Sequence, residues 1–512
     1  MNPGTEARPA IEAPIPRVKG TADCLPIEFA RLADLEALAL DRFDRAGYRR
    51  IATPILEFVE LHERKSGAGI VAKLFELAGH APNRVCLRPE LTAGIVRAYA
   101  ASDPAPALPW RVSHAGPAFR HEATNRPDRL REFHQVGFER LGDSGPVADA
   151  EVIWLAAWTL AEAGVEGATI RLGHVGLILE MLARSGLPAS AQTALIEMLS
   201  EAAAEGGDVT SIGRGLDHFS DWLRQAATAA EIPLAVDRAD DGGIDRLFRT
   251  LVPVVNGRRS GHEIVHRIRR KWDLGQNLHD TLDRVRDRVR TLTGLKGPPD
   301  AVLDRLAADF EAFAPASVAA LRALVRSLGD HGVDVGRLEL DLGFGRGIGF
   351  YSQMVFEVVA PTPAGPVEVG GGGRYDGLAR VLGSDRDDRG VGFAFGLERL
   401  ARVLDAQGKA PRRAPVDALL VVPGSADALS RAARLATILR SEGVRTILEA
   451  GWDGEGLDER ASALGASRSV LVGDPDGRPS MVLHDHRTGS TARLSPDELV
   501  RLVVDPPREA GR

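Results

Sequence analysis

The 512-residue chain has only two cysteines, Cys24 and Cys86, which lie far apart and in no spacing used by metal sites. So little cysteine excludes a disulfide-stabilised secreted domain and favours a reducing compartment. No apolar run approaches the roughly 20 residues that a membrane helix needs. The first 17 residues lack the apolar core of a signal peptide. We therefore expect a cytoplasmic protein, with no membrane partner and with a disordered tail over 1–17.

Lysine is scarce as well, at six of the 64 basic residues, and the formal net charge is −7. An acidic balance gives no global positive field, so a nucleic-acid partner would have to be held by local patches. The segment GRRSGHEIVHRIRRKW at 257–272 is one candidate patch, although a solvated helix face is the favoured interpretation in a chain so rich in arginine. The 13 histidines form no zinc spacing, and we assign no metal site.

The chain is too long for a single core, and its texture changes along its length. Helical spacing from Ile27 to Ala46 ends at Gly47, and strand and helix patterns then mix up to residue 170. A mostly helical unit is predicted over 171–337, strands resume over 338–404, and a polar linker follows over 405–414. Strands alternate with helices over 415–503, which indicates a small α/β domain. The predicted class of the whole chain is α+β.

The segment FRHEATNRPDRLREFHQVGFERLG at 119–142 carries polar residues where a buried hairpin would be apolar. If both halves are strands, period-2 alternation places Arg120 and Glu122 on one face, and Gln135, Gly137 and Glu139 on one face of the return strand. Such a face would form a pocket floor for a small zwitterion beside a phosphate. A surface hairpin with satisfied ion pairs is the alternative.

Three further segments combine glycine with charge. GRGIGFYSQMVFEV at 345–358 begins with Arg346 between glycines and continues as a strand with one polar face. VEVGGGGRYDGL holds four consecutive glycines, which either let a backbone approach a ligand closely or form a hairpin turn. GVGFAFGLERL places Arg399 in the first turn of a helix, where it would bind an anion or pair with Glu398.

Taken in order, these segments resemble those of the histidyl-tRNA synthetases, which are class II aminoacyl-tRNA synthetases. The motifs that carry the resemblance are KGTADCLP with TPILE, LRPELTA, FRHE with REFHQVGFE, RGIGFYSQMVFE, GGGRYDGL and GFAFGLERL. The resemblance implies a catalytic domain built on an antiparallel sheet flanked by helices, in two parts at 18–170 and 338–404. The segment 171–337 would be a helical insertion, and 415–503 an anticodon-binding-like α/β domain.

The resemblance also implies an activity and a set of residues. A homodimer would use ATP and Mg²⁺ to activate L-histidine as histidyl-adenylate and would transfer it to tRNA(His). Arg120 would contact the substrate carboxylate and the α-phosphate, Arg346 would stabilise charge on the α-phosphate, and Arg399 would bind the γ-phosphate. Glu122 would also contact ATP. The residues expected to bind histidine are Glu90, Thr92, Gln135, Glu139, Phe350 and Tyr351.

Three departures from the family pattern keep two other functions open. RGIGFY stands where the family has RGLDYY, the insertion is long, and residues 415–512 hold 15 acidic residues against 12 arginines. One alternative is a regulatory subunit of ATP phosphoribosyltransferase, a related group that binds histidine without charging tRNA, and RLGHVG at 171–176 resembles it. Another is a paralogue that passes activated histidine to a different acceptor. The arginines and the C-terminal domain favour the synthetase.

Overall fold

A computed structural model describes residues 15–79, 82–122, 130–187, 278–343, 350–387, 389–409, 416–422, 426–451, 455–473 and 480–504, together with Gln192 and Ile196. The chain forms two compact units. The first comprises Met1–Ala22 and Leu35–Lys409, and the second comprises Asp23–Asp34 and Ala410–Arg512. Arg346, the 257–272 patch and most of the predicted helical insertion lie outside the described residues.

A nine-stranded sheet, almost entirely antiparallel, organises the first unit, and a three-stranded sheet accompanies it. The large sheet has the order β1-β5-β6-β12-β11-β10-β7-β9-β8, and the small one has the order β2-β4-β3. The pairs β1–β5 and β7–β9 are parallel. The strands are β1 Arg49–Arg50, β2 Leu56–Phe58, β3 Phe75–Leu77, β4 Val85–Leu87, β5 Trp110–Phe119, β6 Glu132–Leu141, β7 Thr169–His174, β8 Lys296–Gly297, β9 Leu338–Asp341, β10 Met354–Ala360, β11 Val367–Arg374 and β12 Gly390–Gly396.

Helices cover this sheet, and their apolar residues recur with the spacing that the sequence predicts. Helix Pro146–Glu162 packs against β10 and β12, and helix Pro315–Asp330 packs against it in turn. Aromatic residues of the central strands fill the core, with the Phe356 and Phe393 rings stacked 5.2 Å apart. The described helices of this unit are the part of Pro26–Arg45 from Leu35 onward, Val59–Ser66, Thr92–Ala101, Pro146–Glu162, Val175–Ala183, Leu278–Thr293, Pro299–Phe310, Pro315–Asp330, Leu378–Val381 and Leu397–Ala406, with 3₁₀ turns at Ala68–Lys73 and Val335–Arg337.

The edges of the predicted helical insertion differ from the structure. The sequence shows no sustained strand signal over 171–337, but β7 pairs with β10 and β9 inside the sheet, and β8 lies at its edge. Arg171 interrupts the apolar pattern of β7, and its ion pair with Glu357 of β10, which lets it lie within the sheet at 31% exposure, is not visible in the sequence. Helix Leu278–Thr293 agrees with the predicted helical character of this segment, and its Val285, Val289 and Leu292, which recur at helical spacing, are buried.

The four consecutive glycines of VEVGGGGRYDGL do not form the hairpin turn that was one of the two interpretations of this segment. They lie within β11 and pair with β12, so they form no turn. A Cβ at Gly372 would stand 2.1 Å from the Gly392 backbone oxygen, and one at Gly370 would stand 2.6 Å from the Phe393 ring. Glycine is therefore required for close contact between β11 and β12.

Two strands are also shorter than the sequence pattern predicts. β5 ends at Phe119, so Arg120 and Glu122 follow the strand and do not alternate within it. β10 begins at Met354, so Tyr351 and Gln353 precede the strand. Glu357 is buried beside Arg171, which explains why this strand has no solvated polar face.

The second unit confirms the predicted alternation of strands and helices, and adds an antiparallel hairpin. Its sheet has the order β14-β13-β15-β16-β17, in which β14, β13 and β15 are parallel. The strands are β13 Ala418–Val422, β14 Thr446–Ala450, β15 Arg468–Gly473, β16 Ser480–Asp485 and β17 Ser490–Leu494; the helices are Ala426–Ser441, Leu457–Leu464 and Pro496–Val504. No helix in the described part of the chain is long and apolar enough to cross a membrane.

Candidate active site

Glu139 lies near the end of β6, in the middle of the large sheet, and is 1% exposed. Alternation along β6 places it on the same face as Gln135 and Gly137. Its partner in β12 is Gly392, where a Cβ would stand 1.6 Å from Glu139 Oε2. The glycine therefore provides the space that the carboxylate occupies.

Two hydroxyl groups donate hydrogen bonds to Glu139 from opposite sides. Thr92 Oγ1 donates to Oε1 at 2.6 Å, and the Tyr375 hydroxyl donates to Oε2. Burial raises the pKa of Glu139, and these two hydrogen bonds only partly offset it, so the pKa lies at about 7. Glu139 can therefore change its charge near neutral pH.

Glu90 is a second carboxylate of the site, with its side chain 16% exposed, and its pKa shifts in the opposite direction. It accepts hydrogen bonds from the backbone amides of Thr92 at 2.7 Å and Ala93 at 3.1 Å, in the first turn of helix Thr92–Ala101. Lys65 Nζ lies 3.0 Å from its Oε2. Burial alone would raise the pKa of Glu90, but Lys65, His62 and the Ala93 amide lower it to about 2. Glu90 is thus a permanent anion in the site.

Two histidines face these carboxylates. His62 Nδ1 lies 3.8 Å from Glu90 Oε1, and His114 Nε2 lies 3.9 Å from Glu139 Oε1. Burial lowers the pKa of each to about 4, so both rings are neutral at physiological pH. Neither ring nitrogen of the buried His114 has a hydrogen-bond partner. Such a ring can accept or donate a hydrogen bond to a ligand or to water.

A pocket opens along the same face of the sheet, next to Gln135, whose buried Oε1 has no hydrogen-bond partner. It contains three arginines, three glutamates and the glycine-rich strand, which suits a phosphate-bearing ligand. The residues that line it are Arg120, Glu122, Leu130, Phe133, Gln135, Glu368, Val369, Gly370, Gly371, Ala394, Gly396, Glu398, Arg399 and Arg402.

The pocket arginines are held by defined contacts. Arg120 Nε donates to the Pro89 carbonyl at 2.9 Å, and its guanidinium carbon lies 5.2 Å from the centre of the Phe133 ring. Arg399 Nη1 lies 3.4 Å from Glu368 Oε2. Glu398 instead accepts a hydrogen bond from the His134 amide at 2.9 Å, so the described ion pair of Arg399 is with Glu368 and not with Glu398.

The structure thus brings the predicted site residues together in two groups. Arg120, Glu122, Gln135 and Arg399 line the pocket, whereas Glu90, Thr92 and Glu139 form the buried cluster beside it. The Phe350 ring lies 4.1 Å from that of Tyr351 and 4.4 Å from Lys65 Nζ, so these aromatic residues border the cluster.

The sequence-based prediction missed four residues of the cluster. Lys65 and His62 were missed because they come from a helix that lies between the motifs TPILE and LRPELTA, and their i, i+3 spacing was the available signal. Tyr375 lies within the motif GGGRYDGL, but nothing in that motif indicates its hydrogen bond to Glu139. His114 lies at β5 inside an otherwise ordinary strand pattern. Within the described residues, no group of three metal-ligating side chains occurs.

Comparison with known proteins places this arrangement in a family. A family model described as histidyl-tRNA synthetase matches residues 20–232 and 241–400. The histidine–tRNA ligase of Synechococcus sp. is 31% identical over 503 residues, which cover 96% of this chain and 99% of that protein. The ATP phosphoribosyltransferase regulatory subunit of Moorella thermoacetica is 29% identical over 462 residues, which cover 90% of this chain and 98% of that protein.

A solved structure agrees with these sequence matches at the level of the fold. The structure of histidyl-tRNA synthetase from Nostoc sp. PCC 7120 superposes with a TM-score of 0.66 at 17% identity and covers 96% of this chain and 99% of that one. An antiparallel sheet, a glycine-rich central strand and a carboxylate-lined pocket thus occur together with a family model that spans most of the chain. The chain belongs to the histidyl-tRNA synthetase family.

Proposed function

We propose that the chain activates L-histidine with ATP to form histidyl-adenylate and transfers the histidyl group to tRNA(His). The observation that carries the proposal is the pocket lined by Arg120, Gln135 and Arg399, in which Gln135 comes from the same strand as the buried Glu139. A site that only sensed histidine would need the buried cluster but not a neighbouring pocket rich in arginine.

Histidine recognition falls to the buried cluster and to Gln135. The Glu90 carboxylate meets the α-ammonium group, and Thr92 and Gln135 help to seat the amino acid. Glu139 and Tyr351 bind the imidazole ring, and Phe350 packs beside it. The pKa of about 7 at Glu139 lets this carboxyl group either accept from or donate to a ring nitrogen.

The arginines carry the chemistry, since adenylate formation brings two anions together. Arg120 reduces the repulsion between the substrate carboxylate and the α-phosphate, and Arg399 binds the γ-phosphate. Arg346 stabilises the charge that builds on the α-phosphate as the carboxylate oxygen attacks and pyrophosphate leaves. Rate enhancement then comes from positioning and electrostatics, without a protein nucleophile.

Mg²⁺ neutralises pyrophosphate charge in this chemistry when it is bound. Mg²⁺ is usually held by one or two carboxylates together with substrate phosphates. Glu122 and Glu368 line the pocket and have the required oxygen donors, so the residues present fit such an ion. Glu368 also lies beside Arg399, which keeps the carboxylate and the phosphate-binding arginine in the same wall.

The experiment that tests this proposal measures histidine-dependent exchange of labelled pyrophosphate into ATP and then charging of tRNA(His). We expect exchange that needs histidine and proceeds without tRNA, together with accumulation of histidyl-tRNA. A protein that binds histidine but supports no exchange would refute the proposal.

The regulatory role remains a second candidate because the similarity to the Moorella thermoacetica subunit is nearly as high as that to the ligase. Gly349 and Phe350, which replace an aspartate and a tyrosine of the family pattern, favour it as well. Histidine binding without exchange, together with copurification of a phosphoribosyltransferase, would support this role.

A further inference from the structure

Lys65 is a buried cation that the proposed reaction does not use. It lies in the last turn of helix Val59–Ser66, and its side chain is 4% exposed. Its neighbour Arg64 is half exposed and pairs with Glu60 on the outer surface of the same helix. A buried ammonium group is costly unless it is paired, so the inward position of Lys65 requires a strong partner.

That partner is Glu90, which lies 3.0 Å from Lys65 Nζ. The other close donors to Glu90 are the Thr92 and Ala93 backbone amides, which are fixed in the first turn of a helix. His62 lies farther away, at 3.8 Å, and is neutral. Among the described contacts, the ion pair with Lys65 is therefore the one that can be exchanged without unfolding a helix.

Phe350 marks the other side of the ammonium group. The centre of its ring lies 4.4 Å from Lys65 Nζ, within the range of a cation–π contact. A carboxylate on one side and an aromatic face on the other form a subsite for a primary ammonium group, and Lys65 occupies it.

We propose that Lys65 occupies the α-ammonium subsite of the empty enzyme and that the ammonium group of the entering amino acid displaces it from Glu90. This inference rests on the proposed function, in which Glu90 binds the amino group of histidine. Two ammonium groups at one oxygen would repel each other, so one must leave. Exchange of one cation for another never leaves Glu90 as an unpaired buried charge, the state that is strongly destabilising.

Lys65 then determines specificity. A ligand with an ammonium group must break the existing ion pair, whereas a ligand without one leaves it intact. Two ligands separate these cases: L-histidine and imidazolepropionate, which has the same ring and carboxylate but lacks the ammonium group. Both depend on Glu139, so their affinity ratio cancels any change in its pKa.

The test is calorimetric titration of the full-length protein with both ligands, without ATP. Lys65→Met keeps the length of the side chain and removes its charge. We expect it to raise the preference for histidine over imidazolepropionate by about tenfold, because one charge-assisted hydrogen bond no longer has to be broken. Arg64→Met is the matched control on the same helix and should leave the ratio unchanged. An unchanged or reduced ratio in Lys65→Met overturns the proposal.

A measurement on the unaltered protein covers the case in which Lys65→Met fails to fold. Brief acetylation followed by mass spectrometry reports how accessible each lysine amine is. Histidine should increase acetylation of Lys65 several-fold, whereas imidazolepropionate should not; no increase with histidine overturns the displacement. If the protein binds neither ligand, the proposed function itself fails, which is a different result from binding both with no change at Lys65.

Discussion

Glu90 and Glu139 are two carboxyl groups of one site whose pKa values are shifted in opposite directions. Burial acts to raise both pKa values, but only Glu90 accepts hydrogen bonds from a lysine and from a backbone amide. Glu139 has neutral hydroxyl donors, and these leave its pKa at about 7. Pairs of groups with separated pKa values are typical of sites that divide chemical roles. Glu90 is suited to hold a cation, and Glu139 to exchange hydrogen bonds with a ring.

The raised pKa of Glu139 predicts a pH dependence of stability. Between its ordinary pKa of 4.5 and about 7, the folded protein binds a proton at Glu139 that the unfolded chain has lost. Stability contributed by this group therefore falls as pH rises through that window. Thermal unfolding should show that Glu139→Gln loses less stability than the unaltered protein between pH 4.5 and 7. A difference between the two proteins that stays constant with pH would contradict the assignment.

Two substitutions should separate binding from chemistry. Arg346→Ala should leave histidine affinity nearly intact and reduce adenylate formation by about 10² to 10³, the usual loss for one preorganised transition-state donor. Glu139→Ala should instead raise the KM for histidine, because it removes recognition of the imidazole. Pyrophosphate exchange at varied histidine concentration measures both. The same kinetic defect in both variants would show that these roles are wrong.

At the scale of elements, the site depends on strand pairs that carry glycine in place of side chains. β6 supplies Glu139, and β12 supplies Gly392 opposite it. Arg374, at the end of β11, is fully buried and donates from Nε to Asp149 of helix Pro146–Glu162 at 2.8 Å. This ion pair joins the glycine strand to the helix layer, so the motif GGGRYDGL has a structural role in this chain.

Gly392→Ala tests the pairing of β6 with β12. The new Cβ would stand 1.6 Å from Glu139 Oε2, so the carboxylate must move and its hydrogen bonds must break. We expect a KM for histidine at least tenfold higher, a loss of about 1 to 3 kcal/mol in stability from overpacking, and a smaller effect on the KM for ATP. Gly329→Ala is the matched control, because its Cβ would have van der Waals space at 3.9 Å from Val335. Equal effects of both variants would contradict the prediction.

Elements with strong local signals were predictable from the sequence. Helix Pro26–Arg45, the strand and helix pair at β12 and Leu397–Ala406, and the alternation in the second unit all follow from apolar spacing. β7 was not predictable in the same way, because its pairing with β10 depends on long-range contacts, among them the ion pair between Arg171 and Glu357. In the site, carboxylates and arginines stood out by type, whereas Lys65 and His114 gain meaning only from partners distant in sequence.

At the scale of the whole molecule, two predictions concern binding partners. The first is that two copies of the chain form a dimer. Ile55, Leu56 and Phe58 lie at edge strand β2 and are 41%, 52% and 55% exposed. Exposed apolar residues in a row on an edge strand are typical of an interface. We expect a homodimer that Phe58→Glu dissociates, as measured by light scattering at micromolar concentration. A monomer before substitution would contradict this expectation.

The second prediction concerns tRNA binding. Helix Leu457–Leu464 begins with Asp458 and Glu459, where acidic side chains favour the helix dipole but repel phosphate. Residues 415–512 also carry 15 acidic residues against 12 arginines. Each phosphate contact contributes about one unit to the salt dependence of binding, so we expect weak tRNA affinity with a shallow slope in filter binding across a salt series. We also expect little change in affinity when residues 415–512 are deleted.

If tRNA binds tightly with a steep salt dependence, and if deletion of residues 415–512 abolishes this binding, then the acidic domain does bind tRNA. Histidine activation should remain robust in either case, since the predicted adenylate site lies wholly in the first unit.

The hydrogen-bonded chain from Thr92 through Glu139 to Tyr375 joins positions 47 and 236 residues apart in sequence. No fragment that lacks either helix Thr92–Ala101 or the end of β11 with the adjacent Tyr375 can hold the Glu139 carboxyl group in place. Contacts of such long range form late, because the entropy of closing the intervening loop must first be overcome. Histidine should therefore recognise only the finished sheet, and its binding would draw the folding equilibrium toward completion by mass action. The amino acid would then favour the complete fold over partly folded chains.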